Sequence, residues 1–268
     1  MRTLSIFTLF SLAASAPAAA AQGILLPVGC ADNCGAASLA IDSVRVWANL
    51  ERGRAVTYIN HVFRNHSDRA VDAALLFPVP ADAEVFRASV QIAEKLTQYN
   101  DWSGPDESRW IALGLAGERP DAGLREYAAA RVAHFPVKAI PPRGTVHMQI
   151  AYTQPVRSEG GTVTWRYPLS LGAAASPIGH LRLGMQVKTE AGFREVTSPS
   201  HAVAVQWGQE PGPCQPEERC GIRGYPSERV RVIRLLSGDD ARARDFELVY
   251  TPRPVDRSVD AATPRATP

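Results

Sequence analysis

The chain is short of lysine, cysteine and long apolar runs. Lysine occurs three times, at Lys95, Lys138 and Lys188, and arginine supplies the rest of the 29 basic residues. No basic stripe forms, and the formal charge is only +2, so the electrostatic footprint of a nucleic-acid binder is missing. Past the N-terminus no apolar stretch approaches the roughly 18 residues that a membrane-spanning helix needs. The sequence also lacks a His-Glu-x-x-His helix and a Gly-x-Ser-x-Gly elbow. No glycine-rich loop closes on Lys-Ser/Thr. The expectation is a chain with no catalytic residues, no metal site and no cofactor, and hence not an enzyme.

What is present begins with residues 1–21. Arg2 is a short positive start, residues 6–14 are apolar, and Ala18 to Ala21 offer a small-residue cleavage site. This is the anatomy of a signal peptide cut after Ala21. Removing Arg2 from the 29 basic residues leaves 28 against 27 acidic ones, a net +1. The expected location is periplasmic or secreted. An even number of cysteines, four, suits an oxidising compartment. They fall into two close pairs, Cys30/Cys34 and Cys214/Cys220. Neither C-x3-C nor C-x5-C is a usual zinc knuckle. Local bridges Cys30–Cys34 and Cys214–Cys220 are expected; the rival is a crossed pairing that ties the N-terminus to the later loop.

The recurring pattern is a period of two, the mark of half-buried strands. Phe86, Ala88, Val90 and Ile92 alternate with polar residues. So do Val146, Met148, Ile150 and Tyr152; Val163, Trp165 and Tyr167; Leu181, Leu183, Met185 and Val187; Phe246, Leu248 and Tyr250. Fainter strands fall at 43–48, 56–64, 71–77, 109–115, 132–137, 203–207 and 229–236. About a dozen short strands between turn signals indicate an all-β, antiparallel β-sandwich. One short helix is expected at 121–130. Residues 22–251 form the domain, 209–227 a long loop within it, and 252–268 a disordered tail.

The stretch Leu-Leu-Phe-Pro-Val-Pro, ending at Pro80, closes one of these strands. Val71, Ala73, Leu75 and Phe77 line its inner face. Pro78 and Pro80 cannot donate to a ladder, so pairing ends there and the next strand is set in register from Val85-Phe86 onward. Phe77, Phe86, Phe135, Ile150 and Tyr152 are the expected core.

Four pieces of sequence resemble a VIT domain, the vault/inter-α-trypsin module. They are "VTYINHVFRNHSDRAVDA", "LLFPVPADAEVFRASVQI", "HFPVKAIPPRGTVHMQIAY" and, near the C-terminus, "RDFELVY". The first looks like the family's strand ending in Asn after Phe. The second resembles its Phe-Pro-Leu-Pro corner, and the third its Ile-x-Pro-Gly strand pair. The resemblance implies a β-sandwich-like fold and an interaction role, with no catalytic residues. It departs from many family members in lacking a following von Willebrand A domain and that domain's Asp-x-Ser-x-Ser motif.

The histidines His61 and His66 read as surface or edge residues, and Asn65-His66-Ser67 fits a glycosylation sequon in form only. Tyr99, Trp102 and Trp110, with Trp207 further on, are the candidate binding aromatics, since loop aromatics can form a platform for a glycan or peptide. The expected function is a non-enzymatic protein–protein interaction module, with an unknown envelope or extracellular protein as its partner. Binding of a glycan or small molecule is the alternative.

Overall fold

A computed structural model describes residues 23–28, 39–99, 132–169, 178–211, 224–236 and 244–255. Fifteen strands occur among them: β1 Ile24–Val28, β2 Leu39–Glu51, β3 Arg54–Asn65, β4 Val71–Pro78, β5 Glu84–Ile92, β6 Lys95–Gln98, β7 Val132–Ile140 and β8 Thr145–Pro155. There follow β9 Ser158–Glu159, β10 Thr162–Tyr167, β11 Ile178–Lys188, β12 Phe193–Thr197, β13 Val203–Pro211, β14 Gly224–Leu235 and β15 Phe246–Pro252. No helix occurs among the described residues; the helix expected at 121–130 lies outside them, as does the strand expected at 109–115. The all-β class holds.

An eight-stranded sheet runs β13-β14-β11-β2-β3-β8-β5-β6, and two short sheets, β1-β4-β7 and β12-β15-β10-β9, complete the fold. The inner faces of all three contribute to one apolar core. Ring contacts tie the layers together: His61 of β3 meets Phe77 of β4, and Arg231 of β14 lies over Phe193 of β12. Nearly all neighbours are antiparallel, but β11 runs parallel to β2 through ten paired residues. Period-two alternation looks the same in either direction, so this seam was invisible in the sequence.

The proline corner is a crossing between sheets. Pro78 is the last paired residue of β4, opposite Val132. The chain turns through an Ala83 N–H bond to the Pro80 carbonyl and enters β5 of the long sheet. The register of β5 is therefore fixed by β8 and β6, not by the corner.

Phe77, Phe135, Ile150 and Tyr152 are buried as expected, but Phe86 is 50% exposed. The ladder of β5 against β8 steps from Val85↔Tyr152 to Arg87↔Ala151. Phe86 is the extra residue of that bulge, and a bulge throws its side chain to the other face. It packs edge-on against Tyr58 outside.

His61 corrects a second expectation. It is fully buried, on the inner face of β3 with Ile59 and Phe63. Its ring stacks on Phe63 at 5.4 Å and meets Phe77 edge-on at 6.2 Å. The other face of β3, with Val56, Tyr58 and Val62, is also apolar in sequence, which hid the true direction. His66, His147 and His180 are exposed.

Two irregular stretches are shorter than expected. Gln209 to Pro211 extend β13 and pair with 224–226 at the start of β14, so the loop expected at 209–227 is strand at both ends. Pro252 closes β15, and the Arg253 N–H donates to the Gly192 carbonyl at 2.9 Å, so the expected tail begins as ordered chain.

Burial of the aromatic core shapes the alkaline stability. Removal from water pushes the Tyr250 phenol up to about 12 and raises Tyr167 well above its usual range, with Tyr152 adding to it. Unfolded tyrosines ionise near pH 10. Between there and about pH 12 the folded chain keeps protons that the unfolded chain loses, so stability falls as pH rises through that window. Tyrosinate absorbance at about pH 11 is expected to account for fewer than the seven tyrosines. The remainder should appear together with unfolding. Ionisation of all seven near pH 10 in a folded chain would contradict this burial.

Candidate functional site

Edge strands expose unpaired backbone donors and acceptors, and folds blunt them with short length, charge, proline or bulges. Among the described residues six strands are sheet edges. Five are blunted. β6 has four residues and opens on Lys95, and β9 has two. β1 contains Pro27, and β12 carries Arg194 and Glu195. β7 contains Pro136 and Lys138 and slips register opposite Val71 and Ala73. β13 is blunted only at its far end, by the bulge after Trp207 and by Glu210 and Pro211; from Val203 to Trp207 it has no charge, proline or register shift.

Pairing with β14 sets Val203 opposite Leu235, Val205 opposite Ile233 and Trp207 opposite Arg231. Opposed residues share a face. Ile233 is fully buried, so this is the inner face of the long sheet. At its end Val205 is 41% and Trp207 57% exposed.

Arg231 holds Trp207 in place. Its guanidinium carbon lies 3.7 Å from the Trp207 ring centroid and 5.1 Å from that of Phe193. Nη1 donates to the carbonyls of Val230 at 3.0 Å, Glu228 at 3.2 Å and Ser227 at 3.4 Å. Burial lowers the pKa of this guanidinium; attraction to Glu228 opposes the shift and repulsion from Arg253 reinforces it. The bonded carbonyls belong to a bulge: the ladder steps from Trp207↔Arg231 to Gly208↔Ser227. Gly208 is required there, since a Cβ would stand 2.2 Å from Val230 Cγ1. The result is an aromatic face backed by a fixed cation, on the strand that ends the long sheet among the described residues. Such a site can pair with an extended backbone and seat its side chains.

The expected binding aromatics are placed unevenly. Trp102 and Trp110 lie outside the described residues, as do Cys30, Cys34, Cys214 and Cys220. Tyr99 is half-buried, 5.3 Å from the Phe135 ring, and its hydroxyl donates to the Pro136 carbonyl. It borders a hollow of about 300 Å³ with Val90, Ile92 and Lys95. Phe77 and Pro80 are buried at the corner. Val205 and Arg231 were missed in the sequence. The available signal was a nine-residue strand free of charge and proline until Glu210, but nothing in it marked an edge.

Two pieces of the VIT resemblance meet in space. Asn65, the Asn after Phe63, donates through Nδ2 to the carbonyls of Ile140 at 3.4 Å and Pro141 at 3.0 Å, within the Ile-Pro-Pro-Arg-Gly piece.

No protein-family model matches the chain, and no curated protein matches its sequence. Among solved structures, it is similar to a protein of Legionella pneumophila subsp. pneumophila str. Philadelphia 1 named a "putative nutrient binding protein". The identity is 15% and the TM-score 0.44, over 84% of this chain and 69% of that one. It is also similar to Legionella pneumophila aminopeptidase A, in complex with aspartic acid. There the identity is 10% and the TM-score 0.39, over 85% of this chain but only 23% of the other. Neither likeness extends to function.

Proposed function

We propose that the chain is a non-enzymatic interaction module of VIT type, acting outside the cytoplasm, that adds an extended segment of a partner protein to β13. The supporting observation is the contrast at the edges: among the described residues five edges are blunted, whereas β13 carries no charge, proline or register shift from Val203 to Trp207. Main-chain hydrogen bonds would supply affinity, and the Val205–Trp207 face would select apolar residues at alternate positions of the added strand. Trp207 is preorganised by Arg231, so little side-chain freedom remains to be lost on binding. A lesser reading, glycan or small-molecule binding near Tyr99, draws on the hollow beside that ring.

Selection from a displayed peptide library on the folded chain tests the edge directly. Selected peptides should lose affinity about tenfold or more when Val205→Lys or Trp207→Lys is introduced. Methylating alternate peptide backbone nitrogens should abolish binding, and Leu96→Lys on the opposite edge should leave it unchanged. Peptides indifferent to both the β13 substitutions and backbone methylation would refute strand addition.

A further inference from the structure

At the far end of β11 from its parallel entry lies a cleft of about 440 Å³. Its apolar wall includes Val163 and Tyr250, which are 8% and 6% exposed. Three arginines from separate stretches of chain line it: Arg52, Arg229 and Arg253. Each has a fixed backbone. Arg52 occupies the β2–β3 turn at φ +50°, a left-handed conformation costly for arginine, followed by Gly53 at φ +71°. Arg229 belongs to the β14 bulge; its N–H donates to Ser227 Oγ at 3.1 Å, and its carbonyl accepts from the Thr189 N–H at 2.9 Å. Arg253 is tied to Gly192 through its backbone and to Glu228 through Nη1 at 2.9 Å.

Their charges are unevenly matched. Arg229 forms no ion pair among the described residues. Arg52 has only a loose contact with Glu51 at 3.7 Å, and its side chain is 82% exposed. Lys188 also lines the cleft, while Glu51 and Glu190 stand on the lining and Glu228 behind Arg253. That suits a singly charged anion; a phosphate dianion would meet these glutamates at a cost. Guanidinium groups bind carboxylate oxygens with strong charge-assisted hydrogen bonds, and the Val163–Tyr250 wall suits an apolar body behind the charge.

We infer that this cleft binds a monocarboxylate with a small apolar body, through Arg229 and Arg52. The source is a free acid or the C-terminus of a peptide; both present the same group. The cleft and the β13 edge share the β14 bulge, but they take different ligands read by different assays, so failure of one proposal is distinguishable from failure of the other.

Titration calorimetry at low salt with hexanoate, and with an acetylated Ala-Val-Phe tripeptide acid, tests the inference. At least one acid should saturate with Kd of about 1 mM or tighter, and the tighter one identifies the source. Hexanol and the tripeptide amide should not bind. R229Q and R52Q should each weaken binding about tenfold, R87Q on β5 should have no effect, and added salt should weaken it. Thermal unfolding of each variant checks that it is folded. The cleft is refuted as a carboxylate site if neither acid saturates the wild type, or if folded R229Q and R52Q bind as well as wild type does.

Discussion

Phe77→Ala is expected to lower the unfolding free energy by about 3–5 kcal/mol. Phe77 is 1% exposed and is the last inward side chain of β4 before the chain crosses to the long sheet. It packs edge-on against His61, whose ring stacks on Phe63. Alanine would leave a cavity between two sheets. The surroundings cannot easily collapse into it, because β4 is paired on both sides and pairing stops at Pro78. Phe86→Ala is the contrast. Phe86 lies one bulge away and half outside, so its loss should cost less than about 1 kcal/mol. Urea titration of both variants with unchanged slopes checks the pair. A loss below about 1 kcal/mol for Phe77→Ala would remove Phe77 from the core.

Asn65→Ala is expected to cost about 3 kcal/mol or more, although it removes little apolar area. Asn65 is fully buried at the end of β3. Besides Ile140 and Pro141, Nδ2 donates to the Arg69 carbonyl at 2.8 Å. Oδ1 accepts from the Ser67 N–H at 2.9 Å and Ser67 Oγ at 2.7 Å. One side chain thus binds the β3–β4 turn to the β7–β8 turn. Alanine leaves several of these partners unpaired, and a buried unpaired polar group costs more than an average bond contributes. Asn65→Asp keeps the acceptor but puts a carboxylate against backbone carbonyls. Its folded pKa would be raised, since only the protonated form can donate to them. The variant should therefore be relatively more stable at acid pH and lose that stability as pH rises above the ordinary aspartate range. Denaturation of Asn65→Ala and Asn65→Asp across pH tests both statements; a cost below about 1 kcal/mol for alanine would show the clamp to be incidental. The same burial removes Asn65 as a glycosylation acceptor in the folded chain.

The strands themselves were legible because period two survives in short apolar runs. Leu183, Met185 and Val187 are all buried, as are Val146, Met148 and Ile150. β1, β6, β9 and β12 were missed: they have two to five residues each, too few to show a period. The candidate site was less legible. Trp207 was marked as an interesting aromatic, but its value comes from Arg231 standing opposite across a ladder. Arg231 is in turn held by carbonyls of the bulge that follows, and no local pattern announces a bulge.

The sequence by itself determined the all-β class, the inner face of β4, the stop at Pro78 and the absence of a basic stripe. These follow from side-chain period, missing amide hydrogens and charge count, all of which are local. Only the tertiary structure decided that β11 lies parallel to β2, that Phe86 turns outward while His61 turns inward, and that β13 ends the long sheet among the described residues. Strand order, bulges and edges are properties of partners far away in the chain, and one strand's own residues carry no record of which neighbour it will meet.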